Sequence, residues 1–281
     1  MRHSLLLLLA VWLLPARFAH ADPADGSPFH VRWEVDLPLI AASGLAGLTP
    51  ELFKGELSPP YCGLSCDRAN LNALDRTVVG NRSVVARRLS DGFVSTSIAL
   101  PFVLDTVDVL ISGQRGLGWL KDATVLTEVL VVNFAINNVV KFAVSRPRPL
   151  VYDAGYAEEE RLHPDAALSF YSGHSSTSFA MATAYSYLFM KRHPHSPLVV
   201  PVWIVTEGIA ATTAALRVAA GKHFWTDVIA GAGVGASLGL LVPVLHRNTV
   251  FPVESGALRG MHLSLLPTAY PGGGGLSVSL Q

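Results

Sequence analysis

The sequence predicts an all-α fold: a helical bundle of about five to six helices, embedded in or associated with a membrane, followed by a short β-hairpin-like tail. Charged residues make up 15% of the 281-residue chain, against about 25% in an ordinary soluble domain. Half of the residues are hydrophobic, and the mean hydropathy is +0.39. Apolar stretches of helical length recur from residue 92 to residue 245. These observations favour helices in or near a bilayer.

Residues 1–21 have the pattern of an export signal. Arg2 supplies a positive start, Leu5–Leu14 form an apolar run, and the small residues of Ala19–Ala21 precede a cleavage point before Asp22. An uncleaved membrane anchor is the alternative interpretation. Either way, we expect an exported protein of the cell envelope. It lies in an inner membrane with its functional face toward the periplasm, or is soluble in the periplasm.

Residues 22–89 are predicted to be an N-terminal segment that precedes the bundle. Val35–Leu48 is apolar but broken by proline and glycine, which fits either a short helix or an interfacial segment. The polar connector Thr49–Asn81 contains two cysteines, Cys62 and Cys66. In an exported chain this close pair predicts a local disulfide. A metal site is disfavoured there because neither a third cysteine nor a nearby histidine completes a ligand set.

Residues 90–246 are predicted to form the helical bundle. Ser90-Asp91 has the composition of a helix N-cap, and Leu150–Ser169 is a polar loop between helices. The predicted helices are Gly92–Ser112, Lys121–Val144, Ser175–Met190, Leu198–Ala219 and Phe224–Leu245.

Polar and small residues inside the helices indicate how the helices pack. Four acids are costly to expose to lipid and must face inward unless the bundle is water-soluble: Asp105, Asp108, Glu128 and Glu207. The last helix has Gly231, Gly235 and Gly239 at four-residue intervals. Such a ridge lets another helix approach closely, in a membrane or in a tightly packed soluble bundle.

The tail, residues 247–281, changes character. Short alternating apolar stretches on either side of Pro271–Gly275 predict a small β-hairpin.

Three separated segments carry the candidate chemistry. Lys141, Arg148 and Arg217 supply positive charge in a chain with few charges, and arginine can grip phosphate oxygens at two points. We expect the neighbouring Arg146 and Lys222 to be solvated.

Two histidines accompany these cations. His223 and Asp227 share a face of a helix start, so the carboxylate can fix the imidazole tautomer and leave the other nitrogen free to attack phosphorus. His174 follows Ser172-Gly173 at another helix start, where backbone N–H groups favour an anion, and is the candidate proton donor.

If the helices cross a membrane, all three segments meet on its outer side. This conclusion counts membrane crossings from an exported N-terminus, and it requires that Val35–Leu48 does not cross.

The motif Lys141-x6-Arg148-Pro149, then Ser172-Gly173-His174, then Arg217-x5-His223-x3-Asp227 resembles the type 2 phosphatidic acid phosphatase superfamily. That superfamily also includes bacterial acid phosphatases and vanadium-dependent haloperoxidases. The resemblance implies a helical bundle and hydrolysis of phosphomonoesters or diphosphates without a metal or other cofactor.

The resemblance also implies a role for each motif residue. His223 forms a phosphohistidine, Asp227 orients it, and His174 acts as general acid and then base. The residues that would hold the phosphate are Lys141, Arg148, Ser172, Gly173 and Arg217. Two positions depart from the pattern: Tyr171 replaces a usual proline, and Leu216 replaces a serine that could contact phosphate.

The expected substrate is a lipid phosphate or polyprenyl diphosphate at a membrane surface, because the helices are strongly apolar. The near-zero net charge gives no indication of a nucleic-acid partner. Two other functions remain open: a vanadium-dependent haloperoxidase, or a non-enzymatic helical membrane scaffold or transport component. The short chain disfavours the haloperoxidase, and the spacing of both histidines with Asp227 disfavours the scaffold.

Overall fold

The computed structural model of the protein describes residues 27–57, 61–112, 117–247, 263–270 and 273–280. The predicted export signal lies outside these residues. Six long helices make up most of the compact unit Pro23–Arg247, which confirms the predicted bundle. They are α1 Trp33–Leu52, α2 Val84–Ile111, α3 Leu117–Val144, α4 Gly173–Arg192, α5 Val199–Ala219 and α6 Trp225–Leu245.

The five helices predicted for the bundle are all present, but the start of α2 was predicted wrongly. The cap is Ser83, whose Oγ accepts a hydrogen bond from the Ala86 N–H at 3.1 Å. Ser90 and Asp91 therefore lie two turns inside the helix. The sequence Ser90-Asp91 resembles a cap, yet both side chains point toward the candidate site described below.

Four of these segments are long and apolar enough to cross a membrane: Val84–Ile111, Leu117–Tyr152, Val199–Ala219 and Trp225–Leu245. α4 has a different role, because most of its residues between Ser175 and Leu188 are buried among the other helices. It forms the axis of the bundle.

α1 extends along the whole bundle. Near its start, Asp36 approaches His246 at the end of α6, with 3.5 Å between Oδ2 and Nε2. Near its end, the Gly47 carbonyl accepts a hydrogen bond from Asn138 Nδ2 of α3 at 2.8 Å. A side chain at position 47 would overlap Phe134, so only glycine permits this approach. α1 is therefore a full member of the bundle and exceeds the predicted Val35–Leu48.

The glycine ridge of α6 packs against α4, as its spacing predicts. A Cβ atom at Gly231 would lie 2.7 Å from the Ser172 carbonyl oxygen. Cβ atoms at Gly235 and Gly239 would likewise overlap carbonyl oxygens one and two turns further along α4. Backbone contact of this kind fixes the position of α6 relative to the start of α4.

The acids predicted to face inward do so. Asp105 and Asp108 both accept hydrogen bonds from Arg192 at the end of α4, at 2.8 and 2.7 Å. Glu128 is buried, and Glu207 accepts a hydrogen bond from Thr183 Oγ1 at 2.7 Å.

The connectors after α1 and α3 pack together at the end of the bundle that holds the motif residues. Cys62 and Cys66 form the predicted disulfide. Tyr61 donates a hydrogen bond to the Arg161 carbonyl at 2.5 Å, and Cys66 packs against a buried cluster that includes Val151. The region predicted as a loop at 150–169 contains three short helical turns: Pro149–Tyr152, Glu158–Leu162 and Pro164–Ala167.

The tail forms the predicted hairpin. Strands β1 Leu263–Tyr270 and β2 Gly273–Leu280 pair antiparallel, with Leu263 opposite Leu280 and Tyr270 opposite Gly273. The second strand thus begins within the glycine run at Gly273, three residues before Leu276, where the predicted turn would let it begin.

Candidate active site

The fold brings the three motif segments to one end of the bundle. α3 and the turn after it supply Lys141 and Arg148, the start of α4 supplies His174, and the end of α5 supplies Arg217. His223 lies in the turn between α5 and α6. The electrostatic neighbours of His223 include Arg148 and Arg217, and those of His174 include Arg217 and Lys141. The structure therefore assembles the predicted cations and both histidines in one place.

Arg148 and Arg217 are both buried, yet each pairs with a carboxylate that is about half exposed. Arg148 pairs with Asp165 at 2.9 Å, and Arg217 Nη1 pairs with Asp91 at 3.0 Å. The Arg217 Nε donor is buried and has no hydrogen-bond partner among the residues that the structure describes. Because a buried donor of this kind is costly unless a ligand satisfies it, the geometry indicates an anion site.

The His223 ring is held through one nitrogen. Its Nδ1 lies 2.8 Å from the Ser169 carbonyl oxygen, so Nδ1 carries the proton and Nε2 keeps its lone pair. Burial lowers the pKa of His223 to about 3, and Arg148 and Arg217 add to this effect while Asp227 opposes it. The imidazole is therefore neutral at ordinary pH and has the protonation state of a nucleophile.

Asp227 is fully buried, but its contact with His223 is loose, with 3.7 Å between Asp227 Oδ2 and His223 Nδ1. The same oxygen accepts shorter hydrogen bonds, from Ser169 Oγ at 2.6 Å and from the Phe224 N–H at 2.9 Å. Asp227 thus closes the first turn of α6 and holds Ser169, whose carbonyl in turn orients His223.

The sequence analysis predicted that Arg146 is solvated, and this prediction is wrong. Its guanidinium pairs with Asp227 and with Asp75, the latter at 2.7 Å. It also stacks over the Phe224 ring at 4.4 Å. Arg146 therefore neutralises the buried Asp227 and joins the connector before α2 to the start of α6. Nothing in its local sequence indicates this, because Asp75 lies 71 residues earlier.

Asp91 is a further site residue that the sequence analysis missed. One of its carboxylate oxygens lies 2.9 Å from His174 Nε2 and accepts a hydrogen bond from Arg217 Nη1 at 3.0 Å. Ser90 Oγ, one residue earlier, accepts from the same Arg217 nitrogen at 3.2 Å. α2 thus connects the candidate proton donor to a candidate phosphate-binding arginine.

The predicted phosphate-binding turn Ser172-Gly173 begins α4 as expected. Ser172 is the N-cap, and its Oγ accepts from the Ser175 N–H at 3.4 Å. A Cβ atom at Gly173 would lie 2.8 Å from Asn137 Oδ1, so the turn has no room for a larger residue. Tyr171, which departs from the motif, is buried, and its carbonyl accepts from Asn137 Nδ2 at 2.9 Å.

Comparison with known proteins shows what this site is similar to. The family model of the PAP2 superfamily matches residues 122–251, which contain all three motif segments. The part of the bundle that carries the motif is thus similar to the PAP2 superfamily. The match leaves out α1, all of α2 and the first residues of α3.

Two individual proteins resemble the chain. The lipid A 1-phosphatase of Porphyromonas gingivalis is 36% identical over 127 residues, which cover 40% of this chain and 27% of that protein. The chain thus aligns with about a quarter of that relative's length. A transmembrane PAP2 type phosphatidylglycerolphosphate phosphatase from Bacillus subtilis superposes with a TM-score of 0.46 at 22% identity, covering 72% of this chain and 96% of the other.

An apolar groove of the bundle leads to the site. A cavity of about 470 Å³ lies between α1, α2, α3 and α4. At one end it is bounded by polar site residues, namely Lys141, Gly173 and His174. Elsewhere its lining is largely apolar and includes Leu48, Val94, Ile98, Leu130, Val131 and Phe134.

Proposed function

We propose that the protein is a phosphoric ester hydrolase that removes phosphate from a lipid phosphate or polyprenyl diphosphate through a phosphohistidine on His223. The observation that carries this proposal is the meeting of three cationic side chains with a neutral histidine that is anchored through Nδ1. Lys141, Arg148 and Arg217 neutralise the phosphate oxygens in the transition state.

The proposed reaction has two steps. His223 Nε2 attacks phosphorus, the bond to the leaving oxygen breaks, and His174 donates a proton to that oxygen. Water then attacks the phosphohistidine while His174 takes one of its protons, and the products are inorganic phosphate and free His223. The charge stabilisation comes from side chains, so no step needs a metal ion.

The groove supports a lipid substrate. Its apolar lining suits an acyl or prenyl chain, and its polar end lies beside His174 and Lys141. A chain in the groove would place its phosphate among the cations. The P. gingivalis relative is by name a phosphatase of lipid A, which supports the same substrate class.

Phosphate release from the purified full-length chain tests the mechanism. We expect His223→Ala to lower kcat at least about 1,000-fold on every substrate, because it removes the nucleophile, while activity of the native protein withstands EDTA in a short assay. His195→Ala, at an exposed histidine on the other end of the bundle, is the matched control and stays fully active. A His223→Ala enzyme that keeps native activity would exclude the phosphohistidine.

A groove variant tests the substrate class separately. We expect Ile98→Trp to lower kcat/KM for a long-chain lipid phosphate about 10-fold, because the indole occupies space needed by the chain. p-Nitrophenyl phosphate has no chain and should be hydrolysed as before. Ile111→Trp, on the same helix at a position 82% exposed, is the control. Equal losses on both substrates would contradict a lipid chain in the groove.

A further inference from the structure

A second cluster of ionisable residues lies at the opposite end of the bundle from the candidate active site. Asp36 of α1, Glu128 of α3 and His246 after α6 place one ligand atom each within 4.8 Å of one another. All three side chains are more than nine-tenths buried. Since α6 separates this cluster from His223 by about 30 Å at 1.5 Å per residue, it has no part in phosphate hydrolysis.

The distances within the cluster are long for hydrogen bonds. His246 Nε2 lies 3.4 Å from Glu128 Oε2 and 3.5 Å from Asp36 Oδ2. In tetrahedral zinc sites with metal–ligand bonds near 2.0 Å, neighbouring ligand atoms are about 3.3 Å apart. Both distances from His246 Nε2 match that spacing, and the Asp36 and Glu128 ligand atoms lie within 4.8 Å of each other.

Two further observations point to a ligand at that centre. Glu128 Oε2 is buried and has no hydrogen-bond partner in the described part of the chain. His246 Nδ1 lies 2.9 Å from the Val242 carbonyl, so that nitrogen carries the proton and Nε2 is free to coordinate. Metal-binding histidines are commonly oriented by such a bond to a backbone carbonyl.

We propose that Asp36, Glu128 and His246 bind one divalent transition-metal ion, with Zn²⁺ the best match to one imidazole and two carboxylates. The ion holds together α1, α3 and α6, three helices that come from distant parts of the sequence. Its role is structural. The ion would compensate the negative charge of two carboxylates that are buried at the end of the bundle.

Without an ion, a proton takes the central position. Burial disfavours a charged imidazole, but the carboxylates of Asp36 and Glu128 outweigh burial and raise the pKa of His246 to about 10. The experiment must therefore distinguish a metal ion from a proton.

Metal analysis of the full-length protein tests the proposal directly. The chain is purified in detergent with an affinity tag that lacks histidine, without chelators, and metals are counted by mass spectrometry. We expect about one Zn²⁺ or similar ion per chain, and at least a fivefold loss in His246→Gln, in Glu128→Gln and in Asp36→Asn. The control is His193→Gln: His193 also contacts a carboxylate, but at the hydrogen-bonding distances of 2.8 and 2.9 Å, so its removal leaves the metal content unchanged.

Thermal unfolding gives a second readout that does not depend on the folding of any variant. EDTA should lower the Tm of the native protein by about 5 °C, and Zn²⁺, but not Mg²⁺, should restore it. A native protein with less than about 0.1 ion per chain, whose Tm does not respond to Zn²⁺, would overturn the proposal and assign the centre to a proton. Neither readout uses phosphatase activity, so this test stands apart from the proposed function.

Discussion

At the scale of single residues, the site depends on side chains outside the recognisable motif. Ser169 orients His223 through its carbonyl, at 2.8 Å, and Arg146 balances the charge of the buried Asp227. Asp91 contacts both His174 and Arg217. The motif residues are thus positioned by partners that are distant in sequence.

Asp91 is expected to position His174, the proposed proton donor. Replacing it in Asp91→Asn keeps the shape but removes the charge that holds His174 and Arg217, and we expect kcat to fall about 10- to 100-fold on a lipid phosphate. The loss should be several-fold smaller on p-nitrophenyl phosphate, whose leaving group needs little protonation. Steady-state kinetics on both substrates measure the difference.

The matching control is Asp67→Asn, at an exposed loop carboxylate that accepts a hydrogen bond from the Ala69 N–H, and it should behave as native. Equal losses on the two substrates, or a rise in KM alone, would show that Asp91 acts on phosphate binding through Arg217 rather than on His174.

The candidate site residues could be named from the sequence because their motif resembles that of a known family, and the structure brings these residues to one end of the bundle. Their supporting partners could not be predicted. The contact between Arg146 and Asp75 spans 71 residues, and that between His174 and Asp91 spans 83. No local pattern encodes contacts of that separation, and Ser90-Asp91 even resembles a cap that forms at Ser83 instead.

At the scale of helices, α6 is positioned by its glycines. Gly235 has no room for a Cβ atom against the Ser176 carbonyl of α4, whereas nothing lies within 4 Å of a Cβ atom at Gly233. The two positions are on one helix and differ only in what they face. They form a matched pair for testing helix approach.

We expect Gly235→Ala to destabilise the protein by about 1–3 kcal/mol, because α6 must move away from α4. The same movement shifts His223 and the start of α4 relative to each other, so activity should also fall. Gly233→Ala should be neutral or slightly stabilising, since alanine favours the helix. Thermal unfolding in detergent compares the two, and an equal effect of both substitutions would contradict close packing of α4 and α6.

The presence of the helices could be predicted, because the length and periodicity of the apolar stretches can be read directly from the sequence. The extent of α1 was not. Its prolines and glycines indicate a break, but Pro38 lies in the first turns and Gly47 lets α1 pack closely on α3. Tertiary packing thus stabilises a helix that local propensity disfavours.

At the scale of the whole molecule, the side of the membrane on which the site lies can be inferred from the number of crossings and from the disulfide. The two give opposite answers if α1 crosses. An exported N-terminus followed by crossings of α1, α2 and α3 would place Arg148 on the inner side. The disulfide Cys62–Cys66 lies in the connector that packs against the site loop, and disulfides form in oxidising compartments outside the cytoplasm. α1 is not among the helices apolar enough to cross a membrane and carries Glu34 and Asp36 near its start. If α1 is not counted as a crossing, the two features agree on an outward-facing site.

Cysteine labelling decides the orientation. In a background of Cys62→Ser and Cys66→Ser, we expect Glu159→Cys, at the site end, to react with a membrane-impermeant maleimide in intact spheroplasts. His195→Cys, in the turn at the opposite end, should react only after permeabilisation. Both positions are exposed, so the two thiols are equally accessible on the protein surface. A difference in labelling between them then reports which side of the membrane each lies on. The reverse labelling pattern would place the site on the inner side. Hydrolysis would then have to use cytoplasmic substrates, and the disulfide would be reduced in the cell.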